Sequence, residues 1–315
     1  MLLPMLTLWA TDHMAWSGYA LLAAVIAVYA RNASYTRRLC TQASVGLVQI
    51  VLITDGAALA SASASPWLLV VLTAVVAGGG TILADRLVWL PPGSLFFVFA
   101  FAVSASAPAK PGSVVIAAAL STATVLLTLA VTAVSTVTDA RRSAYDLRSS
   151  SARPVPWPLT ALHSALCFVA AGAAGSASLA LALGHWYWAM VAAIVPVVGP
   201  TTAGQILRAG HRIVGTAIGL VLSAALFWYP PHGLLLVIIL SGLLIATELL
   251  VTRNYSLAMV FLTPTTIGLL YLFDTGPALG VTLWSRAVET VLGAAIAVAL
   301  IYATHRIRHR VVSVR

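Results

Sequence analysis

Arg286, Glu289, Thr290 and Gly293 fall at i, i+3, i+4 and i+7 within one apolar run, so a helix places them on a single face. Charges surrounded by apolar sequence are expensive to bury in hydrocarbon, and they face a bundle interior when they occur. Two readings follow. The two residues form a self-contained ion pair that locks helices, or Arg286 binds a carboxylate while Glu289 responds to protons. Asp55 and Glu248 are further acids inside apolar runs. Glu248 lies near Arg253. Asp55 has no sequence-local partner and is the second candidate for proton coupling.

A second polar group surrounds two prolines, Pro196 and Pro200, each of which removes a backbone donor from a helix. In a membrane such breaks need hydroxyls, neighbours or water to satisfy the freed carbonyls. Thr201 and Thr202 follow directly, and the same Pro-Thr-Thr recurs at Pro264, Thr265 and Thr266, preceded by Thr263. Two interrupted helices with matching breaks point to a lined cavity; two merely kinked helices with self-bonded threonines are the plainer alternative. Arg208 and Arg212, four apart, share a helix face. They act as cytoplasmic anchors, or as a cationic inner mouth for organic anions. Gly215 and Gly219 follow at a spacing that permits close helix approach.

The elements that must position these groups are helices in a membrane. Of 315 residues 61% are hydrophobic and 8% charged, against about 25% charged in a soluble domain. The mean hydropathy is +1.00. The apolar runs are continuous and about twice the ten-residue length of barrel strands, which excludes a β-barrel. Eleven transmembrane passes are predicted, at 14–31, 42–62, 67–84, 92–107, 113–137, 159–183, 186–204, 211–229, 232–251, 256–273 and 280–303. Residues 1–12 are too short to span and lack the basic segment of a signal peptide. The chain divides into an N-terminal membrane half (1–137), a linker (138–158), a C-terminal half (159–303) and a basic tail (304–315).

The formal charge of +9 comes from arginine, with Lys110 as the one lysine. With the C-terminus placed in the cytoplasm, fifteen arginines fall in inner segments, Lys110 falls outside and Arg286 lies within the membrane. The N-terminus is then outside, and the expected location is the cytoplasmic membrane. Trp16, Trp67, Trp186, Trp188 and Trp228 fall near outer helix ends, where an aromatic belt is expected. Cys40 and Cys167 have neither ligand nor disulfide spacing.

The chain also reads as duplicated. His13-Met-Ala-Trp16 and His185-Trp-Tyr-Trp188 each open a pass, and Ser94–Phe99 echoes Ser256–Phe261. The expected architecture is all-α and polytopic, with about eleven helices in two parallel repeats, the first lacking its opening helix. Repeated halves place substrate sites at their interface.

The sequence contains no paired-aspartate motif, no HExxH and no GxxxxGK[ST]. Enzyme chemistry, cofactors and metals are therefore not expected, and any pumping draws on an ion gradient or a separate ATPase. The run from Trp188-Ala through Pro196 to Arg208-x(3)-Arg212-Ile-Val-Gly215-Thr216-x(2)-Gly219 resembles the fusaric acid resistance and aromatic acid exporter family of integral membrane transporters. Leu262-Thr-Pro264 and Arg286-x(2)-Glu289-Thr290-x(2)-Gly293 are similar to that family's closing helices. The resemblance is strongest over 159–303. It implies an inner-membrane exporter of aromatic or related organic acids, with remoter kinship to plant malate channels. Family members carry a sizeable cytoplasmic helical domain, for which this sequence has only the 138–158 linker and a short tail. The expected partners are the bilayer, a small organic anion and a second copy of the chain in a homo-oligomer; nucleic acid is not among them. A passive anion channel is the nearest alternative, followed by a membrane-embedded enzyme or a scaffold.

Overall fold

The computed structural model describes residues 2–31, 33–108, 110–137, 153–199, 201–251, 253–272 and 278–313. Among them lie twelve α-helices: α1 (Leu2–Ala10), α2 (Ser17–Ala24), α3 (Tyr35–Ser61), α4 (Pro66–Leu87), α5 (Leu95–Ser106), α6 (Ser113–Val137), α7 (Trp157–Ala180), α8 (Trp186–Val197), α9 (Thr202–Phe227), α10 (Gly233–Leu250), α11 (Tyr255–Leu272) and α12 (Leu279–Ser313). Short 3₁₀ turns at Met14–Trp16 and Val25–Val28 extend α2 at both ends. Most of 138–158 and residues 273–277 lie outside the described residues, as does Pro200.

Seven helices, α3, α4, α6, α7, α9, α10 and α12, are long and apolar enough to cross a membrane. The other four predicted passes are occupied by shorter apolar helices: Met14–Val28, α5, α8 and Tyr255–Tyr271 of α11. The sequence suggests sixteen to nineteen residues for the passes at 92–107 and 186–204, but α5 and α8 have 12 each. At 1.5 Å per residue that is about 18 Å, against a hydrocarbon core of about 30 Å. Such a helix is viable at membrane depth where protein surrounds it. All twelve residues of α8 and all eight of α2 are buried.

The long helices enclose the short ones. α4 packs on α7, α3 on α5 and α6, α9 on α11 and α12, and α8 on α7 and α12. The outer faces carry exposed Leu47, Val71, Val115, Leu126, Val221 and Ile238. The interior holds Gln42, Gln49, Arg212, Arg286 and Glu289, none more than 2% exposed. Apolar outside and polar inside is the distribution lipid demands. Glutamines of α3 satisfy carbonyls of the preceding short helix: Gln42 Nε2 donates to Tyr29 O (3.2 Å) and Gln49 Nε2 to Leu22 O (2.9 Å).

A seam joins the two halves along α4 and α7. Ser164 Oγ donates to Gly78 O (3.0 Å), and His163 Nδ1 lies 2.9 Å from Asp85 Oδ2. At its end Val155 N donates to Asp85 O (3.2 Å), Arg86 Nη1 donates to Val155 O (2.9 Å), and the Arg86 guanidinium sits 4.4 Å from the Trp157 ring centre. Read from sequence, His163 stands singly; the fold gives it a buried partner 78 residues away.

Candidate anion site between the halves

Pro196 lies in the last turn of α8, and the chain breaks before α9. The carbonyls at this break are not held by the threonines. Gln205, wholly buried, donates from Nε2 to Val197 O and to Gly199 O, and Arg208 Nη1 donates to Val198 O (2.6 Å). Thr201 is instead the N-cap of α9, its hydroxyl accepting from Gly204 N (3.2 Å), and Thr202 is the first helical residue. Gln205 carries the role expected of Thr201 and Thr202. Its position three residues into a helix that follows the Pro196-Val-Val-Gly199-Pro200 run was the available signal.

Pro264 lies inside α11 and removes the donor for Val260 O. The neighbouring threonines bond back to their own helix: Thr263 Oγ1 to Met259 O, Thr265 Oγ1 to Phe261 O and Thr266 Oγ1 to Thr263 O, each 2.8 Å. Their hydroxyl protons are thus taken up by their own helix backbone. Gly215 and Gly219 are within-chain contacts. A Cβ at Gly215 would meet Ser256 O and Met259, and one at Gly219 would meet Thr263 and Val260 O. Gly293 does the same between α12 and α8, against Ala189 O and Ala192.

These packings bring two arginines to one cavity. It has a volume of about 110 Å³ and lies between the halves, lined by all four short elements together with α9, α10 and α12. By this measure one water needs about 10–15 Å³, so the space holds several waters or a small ring. Arg212 and Arg286 both reach it, against walls that include Leu22, Phe96, Phe99, Leu262 and Leu269, with Thr265 and Thr266 on the α11 side. Arg212 is 1% exposed; its Nη1 donates to Tyr255 Oη (3.1 Å), while Nε and Nη2 have no partner. Arg286 is 2% exposed and sits 4.5 Å from the Trp188 ring centre, with Nε and Nη1 unpartnered. The acid lining this cavity is Glu248 of α10, at whose backbone oxygen Arg31 Nη1 donates (2.9 Å). Among the described lining residues there are thus two guanidiniums and one carboxyl group.

Arg286 and Glu289 share a helix face but form no ion pair among the described residues. Glu289 Oε1 accepts from Ser178 Oγ and from His185 N, both at 3.0 Å, while Oε2 is unpartnered. Trp188 stacks on His185 with ring centres 4.3 Å apart and carries the Arg286 guanidinium on its ring. Trp186 and Trp188 are buried, 7% and 1% exposed, so they are not belt residues; Trp67 and Trp228 are exposed as a belt requires. Asp55 is exposed on α3 and does not join the group.

Arg208 lines a second cavity of about 250 Å³, bounded by the 91–96 turn, the end of α8 and Val251. Leu95, Phe96, Val251 and Tyr255 line both cavities. Of the residues singled out in sequence, Arg208, Arg212, Arg286, Thr265 and Thr266 therefore surround one region of two adjoining cavities that share a wall. Gly215, Gly219, Gly293, Pro196, Pro264 and Thr263 shape the helices around it.

Residues 169–300 match the family model described as fusaric acid resistance protein-like, so the resemblance read from the sequence holds over the segment running from α7 into α12. Over 124 residues the chain is 29% identical to the uncharacterized membrane protein YvaC of Bacillus subtilis (strain 168), covering 39% of this chain and 20% of that protein. The chain thus spans about a fifth of the length of that curated relative. No solved structure matches. The protein is a multi-pass membrane protein whose regular elements among the described residues are all helices, and whose residues 169–300 are of fusaric acid resistance-like sequence.

Proposed function

We propose that this protein is a transporter that moves small organic, aromatic carboxylates outward across the cytoplasmic membrane through the cavity between its halves, driven by the proton gradient. One observation carries the reading: two buried guanidiniums with unpartnered N–H groups line one apolar cavity. A buried charge without a counter-ion costs several kcal/mol. A carboxylate supplies the missing charge and accepts those N–H groups, and an attached ring takes the Phe and Leu walls. Arg208 gives the cytoplasmic side a first cation, and Arg286 the deeper one.

Glu289 is the proton-coupling residue in this reading. Its link to Arg286 runs through His185 and Trp188, replacing the direct pairing that spacing alone suggests. The helix pattern supports eleven passes in two parallel repeats, and the arginine bias supports an outside N-terminus. Short, long, long, short, long describes both α2–α6 and α8–α12, and equivalent pairs pack in each set, α3 with α5 as α9 with α11. The absence of paired-aspartate and HExxH motifs from the sequence, and the fusaric acid resistance-like match, favour transport over catalysis. A passive anion channel is the second reading, favoured by the adjacency of the two cavities.

The test is efflux of labelled benzoate and 4-hydroxybenzoate from loaded vesicles, with and without a proton gradient. Flux that follows the gradient supports the exporter. Flux indifferent to it supports the channel, and no flux over a broad acid panel removes both.

A further inference from the structure

We infer that the wall shared by the two cavities is an inner gate and that Tyr255 is its latch, holding Arg212 until an organic carboxylate takes that guanidinium. The inference rests on the transport reading for its purpose, but not for its geometry. Leu95, Phe96, Val251 and Tyr255 line both cavities, so an anion passing from Arg208 to Arg286 crosses between them. All four are half-buried. All four also sit at helix ends: Leu95 and Phe96 open α5, Val251 is the C-cap of α10, and Tyr255 is the first residue of α11. Helix ends move at less cost than helix middles, because fewer intrahelical bonds hold them.

The latch follows from hydrogen-bond supply. Arg212 has one oxygen partner, Tyr255 Oη at 3.1 Å, and two nitrogens without any. A carboxylate offers a bidentate, charge-assisted pairing that a phenol hydroxyl cannot match. Side-on pairing through Nε and Nη2 leaves Tyr255 in place, whereas an anion that pairs end-on with Nη1 and Nη2 takes the nitrogen Tyr255 holds, displaces the phenol and frees one side of the wall. Tyr255 is a positioning residue: it sets where Arg212 points in the empty site and which solutes release it. A neutral ring compound lacks the charge to compete and leaves the wall shut.

The experiment uses inside-out vesicles and the full chain with Cys40→Ser, Cys167→Ala and a reporter, Leu262→Cys, in the central cavity. The rate of labelling by a membrane-impermeant thiol reagent reads the gate. Tyr255→Phe keeps the ring and removes the latch hydroxyl. It should speed labelling about ten-fold, the scale of losing one hydrogen bond to a charged group. Arg212→Gln should do the same, and the double variant should add nothing further. An unchanged rate in Tyr255→Phe, or additive effects in the double variant, overturns the latch. Benzoate flux is measured on the same vesicles. Absent flux with the labelling pattern intact removes the transport reading and leaves the latch; normal flux with labelling unchanged does the reverse.

Discussion

Replacing Arg286 or Arg212 by glutamine removes a guanidinium whose free N–H groups face the cavity. Each change should raise the apparent KM for benzoate about ten-fold, the worth of a charge-assisted hydrogen bond, and leave binding of benzyl alcohol nearly unaltered. Equal losses for acid and alcohol would mean a structural role. Glu289→Gln retains an oxygen able to accept from Ser178 and His185, so the fold should persist. Efflux should then lose its dependence on the proton gradient; flux that still follows the gradient would exclude Glu289 as the coupling group. The sequence made the polar side chains legible because a charge in an apolar run has few places to go. It did not make their partners legible. Spacing shows that Arg286 and Glu289 can reach one another, whereas partner choice depended on Trp188, Ser178 and the His185 N–H, brought in by other helices. The same holds for Gln205, an unremarkable residue until the broken end of α8 lies beside it.

At the scale of elements, continuous apolar runs and turn residues made the helical segments readable but not their bounds: the pass placed at 186–204 ends as α8 at Val197, and the next helix, placed from 211, begins at Thr202. Hydropathy cannot tell a helix that spans lipid from one wrapped by protein, because both are apolar all round. The close packing of α8 on α12 makes a sharp contrast between glycines. A Cβ at Gly293 would meet the backbone of α8 at Ala189 O and Ala193 N, whereas one at Gly79 meets nothing within 4 Å. Gly293→Ala should therefore lower the melting temperature in detergent strongly, by an overpacking cost of about 1–3 kcal/mol. Gly79→Ala should raise it slightly, by up to about 1 kcal/mol from reduced backbone entropy. Similar melting temperatures for the two would contradict the packing.

For the whole molecule, the arginine bias predicts sidedness. Reporter fusions at Pro108, Ser150 and Asp274 should read outside, inside and outside, and an inside reading at Pro108 would sink both the count of passes and the duplicated plan. In the sequence that proposed plan reads only as weak echoes, such as His13–Trp16 against His185–Trp188. The proposed counterparts α3 and α9 differ in their buried polar residues, Gln42 and Gln49 on one and Arg212 on the other. The seam of α4 on α7 has a further consequence. Asp85, Arg86 and Gly78 grip Val155, His163 and Ser164 directly, through bonds that owe nothing to the peptide connection between the halves. A gene cut in two at codon 146 should therefore yield fragments that find each other in the bilayer and copurify as a working heterodimer. The single polypeptide would then be a convenience of synthesis, guaranteeing equal numbers of two parts that already recognise one another.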